Sequence, residues 1–366
     1  MKLYNRFTQL SFLLIIASAT LISCKKKKDE EQTPIETPSA SVPVVVTSEA
    51  TIVMNMFQEL IEATEEGNTM GVEVSETKLN NMLNNNSSPF SGNLTKNSSL
   101  KLSNYIHPDV KPFLATYFAN LATASLAKTL GDSLKAGVIY RKNSTSSKKL
   151  YDSTGFANYE LIEKGLMGAL QLHQITAVLL ADSSMDAKES NAKRLKKWDL
   201  AFDFLGVPKD FAVPYPTTYP FWGEYFKTND ANLGGSVNKI MNAFVNGRKA
   251  IENNTNDLVK TNADIIKVEM DKVAAGMALT YLFRTKFRKN NEDKGGANGA
   301  ASEALGFLIS LKYHATKKIS DEKLAEIINL VGTNNWTLKI VEIEEAISLL
   351  ATQYGFDATS TSKFDN

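Results

Sequence analysis

The stretch from Tyr159 to Leu180, YELIEKGLMGALQLHQITAVLL, restricts the possible folds of this chain more than any other. Ile162, Leu166, Ala169, His173, Thr176 and Leu180 recur at alternating steps of four and three. Leu161, Gly165, Gly168, Leu172, Ile175 and Leu179 form a second seam beside them. Two adjacent seams leave only a narrow strip for water, carrying Glu160, Glu163, Lys164, Gln171 and Gln174. The spacing therefore predicts a helix packed on most of its circumference, the central helix of a bundle. Gly165 and Gly168 weaken such a helix by roughly 1 kcal/mol each relative to alanine. That cost is offset where a neighbouring backbone has to come close.

At the start of the chain, Lys2 and Arg6 precede an apolar run from Leu10 to Ala19, and Leu21, Ile22 and Ser23 lead into Cys24. A positive segment, a short apolar segment and a small residue before cysteine read as a lipoprotein signal over residues 1–23, with Cys24 as the acylated residue. The apolar run is shorter than the roughly 20 residues a spanning helix needs. Cys24 is the only cysteine, which excludes internal disulfides and cysteine-cluster metal sites together. After it, KKKKDEEQ from Lys25 to Gln32 resembles the export signal that sends some bacterial lipoproteins to the cell surface. Residues 24–47, rich in Pro, Thr, Ser and Val and without helical period, read as a disordered tether.

Roughly 320 residues follow, more than one compact core usually spans. Lys and Arg total 41 against 40 for Asp and Glu, a formal net charge of +1. Such balance argues against nucleic acid as a partner, which calls for a basic face. The local excess from Lys188 to Lys197, with Arg194, reads as a solvated helix face.

The folded part reads as helices almost throughout. Ser48 caps one ending at Gly67, and Ser75 caps a short one that dissolves into the Asn and Ser run from Asn84 to Ser99, read as a mobile loop. Pro108 opens a third, stopped by Gly131. Gly137 to Tyr140, between Asp132 and Phe156, suits a small hairpin. After the central helix, Ser183 or Ser184 starts a helix ending in WDLAFDFLG, Trp198 to Gly206. Pro208, Pro214, Pro216 and Pro220 then forbid helix in an aromatic loop over 207–231. Val237 to Glu252 and Asp257 to Lys289 follow, then a glycine hinge from Gly295 to Gly299, then Ala301 to His314, Ser320 to Val331 and Leu338 to Tyr354. The pattern predicts an all-α protein of two packed helical bundles, with halves at 48–206 and 232–356 and a polar tail over 357–366 read as disordered.

Candidate chemistry is sparse. The three histidines, His107, His173 and His314, have no ligand partner at i+4, so no zinc-hydrolase signature exists. His173, within an apolar seam, reads as a buried ligand or as a core histidine. Asp199 and Asp203, one turn apart, suit a cation, a sugar hydroxyl, or pairing with nearby Lys and Arg. The aromatic loop offers Tyr219 and Trp222 for stacking on a sugar, a porphyrin or a protein, or for closing the joint between bundles. Arg248 and Arg284, on helices in apolar surroundings, call for a carboxylate such as Glu224 or Asp199.

The order EKGLMGALQLHQ, WDLAFDFLG, FWGEYF and NGRKAI resembles the domain-of-unknown-function 4856 family of bacterial surface lipoproteins, over nearly the whole chain after the signal. That family in turn resembles the imelysin group, two-bundle helical proteins linked to iron or other metal acquisition. The resemblance implies imelysin-like up-down helices and an outer-membrane, outward-facing, lipid-anchored location. It further implies a non-enzymatic binding role, with iron or haem as cargo and a TonB-dependent transporter as partner. The imelysin G-x-H-x-x-E motif lies over Gly165 to Leu170, where Met167 and Leu170 replace the histidine and glutamate. Neither replaces a hard-donor pair for a metal ion. An altered metallopeptidase and a glycan-binding lipoprotein are the alternative readings.

Overall fold

In the computed structural model the described residues are 47–209, 219–226 and 235–357. The signal, Cys24, the tether to residue 46, most of the proline loop and the tail from 358 lie outside them. The element order is α1 (Glu49–Glu65), α2 (Glu76–Asn84), α3 (Lys111–Ser125), β1 (Gly137–Tyr140), β2 (Lys148–Tyr151) and α4 (Asn158–Leu166). A π-helix (Met167–Leu179), α5 (Asn191–Asp203), α6 (Ser236–Glu252), α7 (Asn256–Asn290), α8 (Lys294–Leu311), α9 (Asp321–Val331) and α10 (Ile340–Tyr354) follow. The fold is all-α, and the one sheet among the described residues is the antiparallel β1–β2 hairpin, paired from Gly137 with Tyr151 to Tyr140 with Lys148.

Caps fix the helix starts. The Ser48, Ser75 and Ser320 hydroxyls accept from the backbone N–H groups of Thr51, Lys78 and Lys323, satisfying donors that a helix start leaves free. The helix before WDLAFDFLG begins later than Ser183 or Ser184, because Ser190 supplies its cap.

The central segment is α-helical only to Leu166. From Met167 its hydrogen bonds reach five residues instead of four, ending with the Leu180 N–H on the Ile175 carbonyl at 3.0 Å. Such widening is normally confined to a single turn; here it runs for 13 residues. Donors from outside attach to it: the His107 N–H reaches the Ala169 carbonyl at 2.8 Å, and the Trp222 indole reaches that of Met167 at 3.3 Å. Both seams are buried apart from half-buried His173. Helices α1, α3, α5, α7 and α8 surround the segment.

The glycines act as expected of close approach. A Cβ on Gly168 would stand 2.3 Å from the Ser310 Cα, so the α8 backbone occupies that space, and one on Gly165 would meet the Phe113 ring at 2.7 Å. Gly295 to Gly299 form no hinge. They lie inside α8, where a Cβ on Gly295 would meet the Tyr140 carbonyl at 2.4 Å, and the Tyr151 hydroxyl donates to the Gly295 carbonyl at 2.6 Å. The hairpin packs on the start of α8 because those residues lack side chains.

A loop read as mobile and a helix face read as solvated are both fastened. The Glu59 carboxylate accepts from the Ser91 and Gly92 N–H groups at 2.8 and 3.2 Å and from the Thr95 hydroxyl, and Phe90 is buried. Arg194, placed by sequence on a wet face, is buried, donating to Asn256 and Asn191 at 2.7 and 2.6 Å. Buried apolar residues from both expected halves join one continuous cluster. Among the described residues no helix is long and apolar enough to cross a membrane.

Candidate functional site

The strip read as wet on the central segment is instead its most buried polar surface: Glu160 is 4% exposed, Lys164 2% and Gln171 0%. The Gln171 and Gln174 amides donate to the Phe204 and Tyr105 carbonyls at 2.8 and 2.6 Å. Glu160 pairs with Lys149 of β2 and, at 3.1 Å, with Lys164; Lys149 also reaches Glu303 of α8 at 2.8 Å, and Glu163 pairs with Lys164. The ammonium of Lys164 lies 5.1 Å from the Tyr225 ring centre and that of Lys149 5.6 Å from Tyr159, adding cation–π attraction. Burial alone would raise the Glu160 carboxyl, but the two ammonium groups outweigh it and hold its pKa well below the usual range. Glu163, with one cation and two carboxylates about it, is pushed up by burial to about 7. Burial lowers Lys164 less than Glu160 and Glu163 raise it, so it stays a fixed cation. This cluster ties α4 to the hairpin and α8.

Beside it a cavity of about 540 Å³ opens between α1, the end of α5 and residues 219–224, lined by Thr51, Met54, Asn55, Gln58, Asp203, Gly206, Val207, Tyr219, Pro220, Phe221 and Glu224. Its size suits a small organic molecule. Phe221 stands at φ 56°, rare for a bulky residue, and stacks on Phe57 at 4.0 Å. Local strain of this kind, about 1–3 kcal/mol, gathers where function fixes a backbone. Burial raises the Asp203 carboxyl, against the Ser48 hydroxyl and Lys209 and with Asp199. It likewise raises Glu224, with Glu303 and Glu160 and against Lys164 and Arg284. The Asn55 amide donates to the Thr51 carbonyl at 2.8 Å and that of Gln58 to Glu62 at 3.0 Å. Both partners are pure acceptors, which fixes the amide orientation, and Gln58 Oε1 is left buried without a hydrogen bond.

The sequence candidates thus divide. Asp203, Tyr219 and Glu224 share the cleft. Asp199 does not join Asp203: it accepts from Arg248 Nε at 2.9 Å, and Arg248 also meets Glu252. Arg248 lies on the surface, since its side chain is 42% exposed, and only its carboxylate pairing matches the expectation. Arg284 lies with its guanidinium carbon 4.9 Å from the Tyr281 ring centre and acts on Glu224 through space. Trp222 is 0% exposed and tilted against Phe307 at 5.8 Å, so its ring builds the core and offers no face for stacking a ligand.

His173 meets the His107 ring at 4.9 Å, with Tyr313 at 5.3 Å beyond. Burial and His107 lower the His173 pKa to about 4. Its Nδ1 is buried without a partner, but His107 Nδ1 already accepts from the Asp109 N–H at 3.2 Å. Among the described residues no group of three or more His, Cys, Asp or Glu could hold a metal ion. Met167 and Leu170 are both 0% exposed and fill core.

The four sequence segments that carry the resemblance meet one another. Trp198 of WDLAFDFLG donates to the Phe244 carbonyl at 2.8 Å and lies where a Cβ on Gly247 of NGRKAI would be 2.0 Å from its ring. FWGEYF reaches EKGLMG through Trp222 on the Met167 carbonyl and Tyr225 on Lys164. Sequence reading missed the cleft because its walls come from three distant segments. It missed the charge cluster although Glu160 and Lys164, at i and i+4 inside an apolar run, were a signal for it.

A family model described as a domain of unknown function, DUF4856, matches residues 40–357. No curated protein and no solved structure matches the chain.

Proposed function

The chain belongs to the DUF4856 family, and we propose that it is a lipid-anchored, non-enzymatic binding component of a bacterial outer membrane, facing outward, whose ligand enters the cleft beside Asp203 and Glu224. The observation that carries the binding role is the cleft itself, a half-open space of about 540 Å³ beside α1 and the end of α5, with Phe221 held at φ 56° in its wall and the Gln58 Oε1 acceptor left unpaired. The lipobox before Cys24 and the Lys25 to Gln32 segment support the anchor and its outward face.

Iron or haem uptake through a TonB-dependent transporter rests on the imelysin resemblance. The cleft favours cargo in organic form, including metal held inside a chelate, over a bare ion, because its described lining brings together only two carboxyls and no histidine. The metallopeptidase alternative loses its donor pair to the buried Met167 and Leu170. A glycan would have to stack on Tyr219, Phe221 and Trp222 both being enclosed.

Two measurements test the reading. Mass spectrometry of the protein from membranes is expected to find Cys24 acylated, and native mass spectrometry of the gently purified protein to find a small molecule that is lost when Gly206→Trp fills the cleft. A bare Cys24 thiol contradicts the anchor. Retention of the molecule in that variant, folded by circular dichroism, contradicts the cleft as the site.

A further inference from the structure

The charged groups in the described lining of the cleft are both carboxyls. Asn55 and Gln58 each use one amide N–H on Thr51 and Glu62, and the Thr51 hydroxyl lies 3.0 Å from Ser48 Oγ. The lining also holds Gln58, whose carbonyl oxygen has no partner, Asp203, whose carboxyl meets the Ser48 hydroxyl, and Glu224. Among the described residues lining the cleft there is no lysine or arginine. Lys209, Lys164 and Arg284 act on these carboxyls from outside the lining, opposed by Asp199, Glu160 and Glu303. Asp203 is half-buried and Glu224 exposed, and with no lysine or arginine in the described lining a ligand that supplies a cation gains the attraction of both carboxylates. Tyr219 in the same wall provides a π face, which attracts cations and tolerates flat apolar groups.

Resting on the cleft as the ligand site, we infer that its ligand is an organic cation, an amine or guanidinium compound, whose charged nitrogen is held by the carboxylates of Asp203 and Glu224 beside the aromatic wall. An uncharged sugar leaves both carboxylates without a counter-charge, and an anion is repelled. The inference goes beyond a binding role, for it fixes the sign of the ligand's charge and names the two groups that read it.

Calorimetric titration of the folded chain with spermidine, agmatine and maltotriose, at pH 7.5 and pH 5 and at low and high salt, tests it. Spermidine or agmatine is expected to bind, more weakly in high salt and at pH 5, where protonation discharges carboxyls whose pKa burial has raised. Asp203→Asn and Glu224→Gln, each keeping shape and fold, are expected to weaken binding at least about tenfold, the ratio that a difference of 1.4 kcal/mol produces. Maltotriose binding that both variants leave intact would overturn the cation while keeping the cleft as a ligand site. Amine binding unchanged in both variants would also overturn it. No binding by any probe, together with no small molecule retained in native mass spectrometry, would overturn the cleft reading as well.

Discussion

Around Lys164, three carboxylates and two ammonium groups face one another inside the protein, whereas Asp203 and Glu224 line a cleft whose described walls hold no cation. The first region takes its carboxyls out of water, while the second leaves Asp203 half-buried and Glu224 exposed. In the first, partners on α4, β2 and α8 offset the desolvation, and the Glu160 carboxyl is driven below its usual range. In the second, burial dominates and both carboxyls are driven up. The same desolvation, resolved internally, fastens helices together; left open at a cavity, it marks a place for something from outside.

The sharpest way to break this contrast is to remove the cation from the closed region. Lys164→Met strands Glu163 and halves the support of Glu160, and is expected to cost about 3–5 kcal/mol in denaturant unfolding. A loss below about 1 kcal/mol would mean that the cluster is not closed as described. Next in size, Gly168→Val pushes a side chain into the Ser310 backbone, with an expected loss of about 1–3 kcal/mol. A variant as stable as the parent would show that α8 does not lie against the widened helix.

The odd carboxyl of the cluster gives a pH test. Glu163, raised to about 7 by burial, binds its proton more tightly folded than unfolded. It therefore costs no stability below the usual glutamate range and progressively more as pH rises to about 7. Glu160, lowered by its cations, does the reverse: its contribution is full above the usual range and fades as pH falls below it. Glu163→Gln is accordingly expected to raise the melting temperature at pH 8 and to leave it unchanged near pH 4. An equal shift at both pH values would remove the argument. The smallest effect belongs to the open region: Asp203→Asn, which relieves a carboxylate without a cation in the cleft wall, is expected to leave stability unchanged or raise it by about 0.5 kcal/mol. Measurable destabilisation would mean that Asp203 belongs with the closed set.

Periodicity showed where α1, α6, α7 and the central segment run, and Ser48, Ser75 and Ser320 marked starts because their hydroxyls can reach an N–H three residues on. It could not tell a wet strip from a buried one. Glu160, Glu163 and Lys164 take a polar face under either reading, and their burial depends on Lys149 and Glu303, distant in sequence. The change to five-residue hydrogen bonding at Met167 comes with His107 and Trp222 donating from outside, contacts distant in sequence. Gly295 to Gly299 looked like a hinge because glycine is equally the residue of a loose link and of tight packing, and only the hairpin's position decides between them. Asp203, Tyr219 and Glu224 were visible as separate candidates. Their meeting at α1 was not, since nothing in Thr51 to Gln58 distinguishes a cleft wall from an ordinary helix face.

The contrast between closed and open carboxyls is tested most directly by carbon-13 NMR titration of labelled Asp and Glu side chains, with and without spermidine. The account predicts Asp203 and Glu224 titrating above their ordinary ranges and falling when spermidine is added, while Glu160 stays depressed in both titrations. Ordinary values for Asp203 and Glu224 that spermidine leaves unmoved, or a Glu160 that titrates normally, would contradict it.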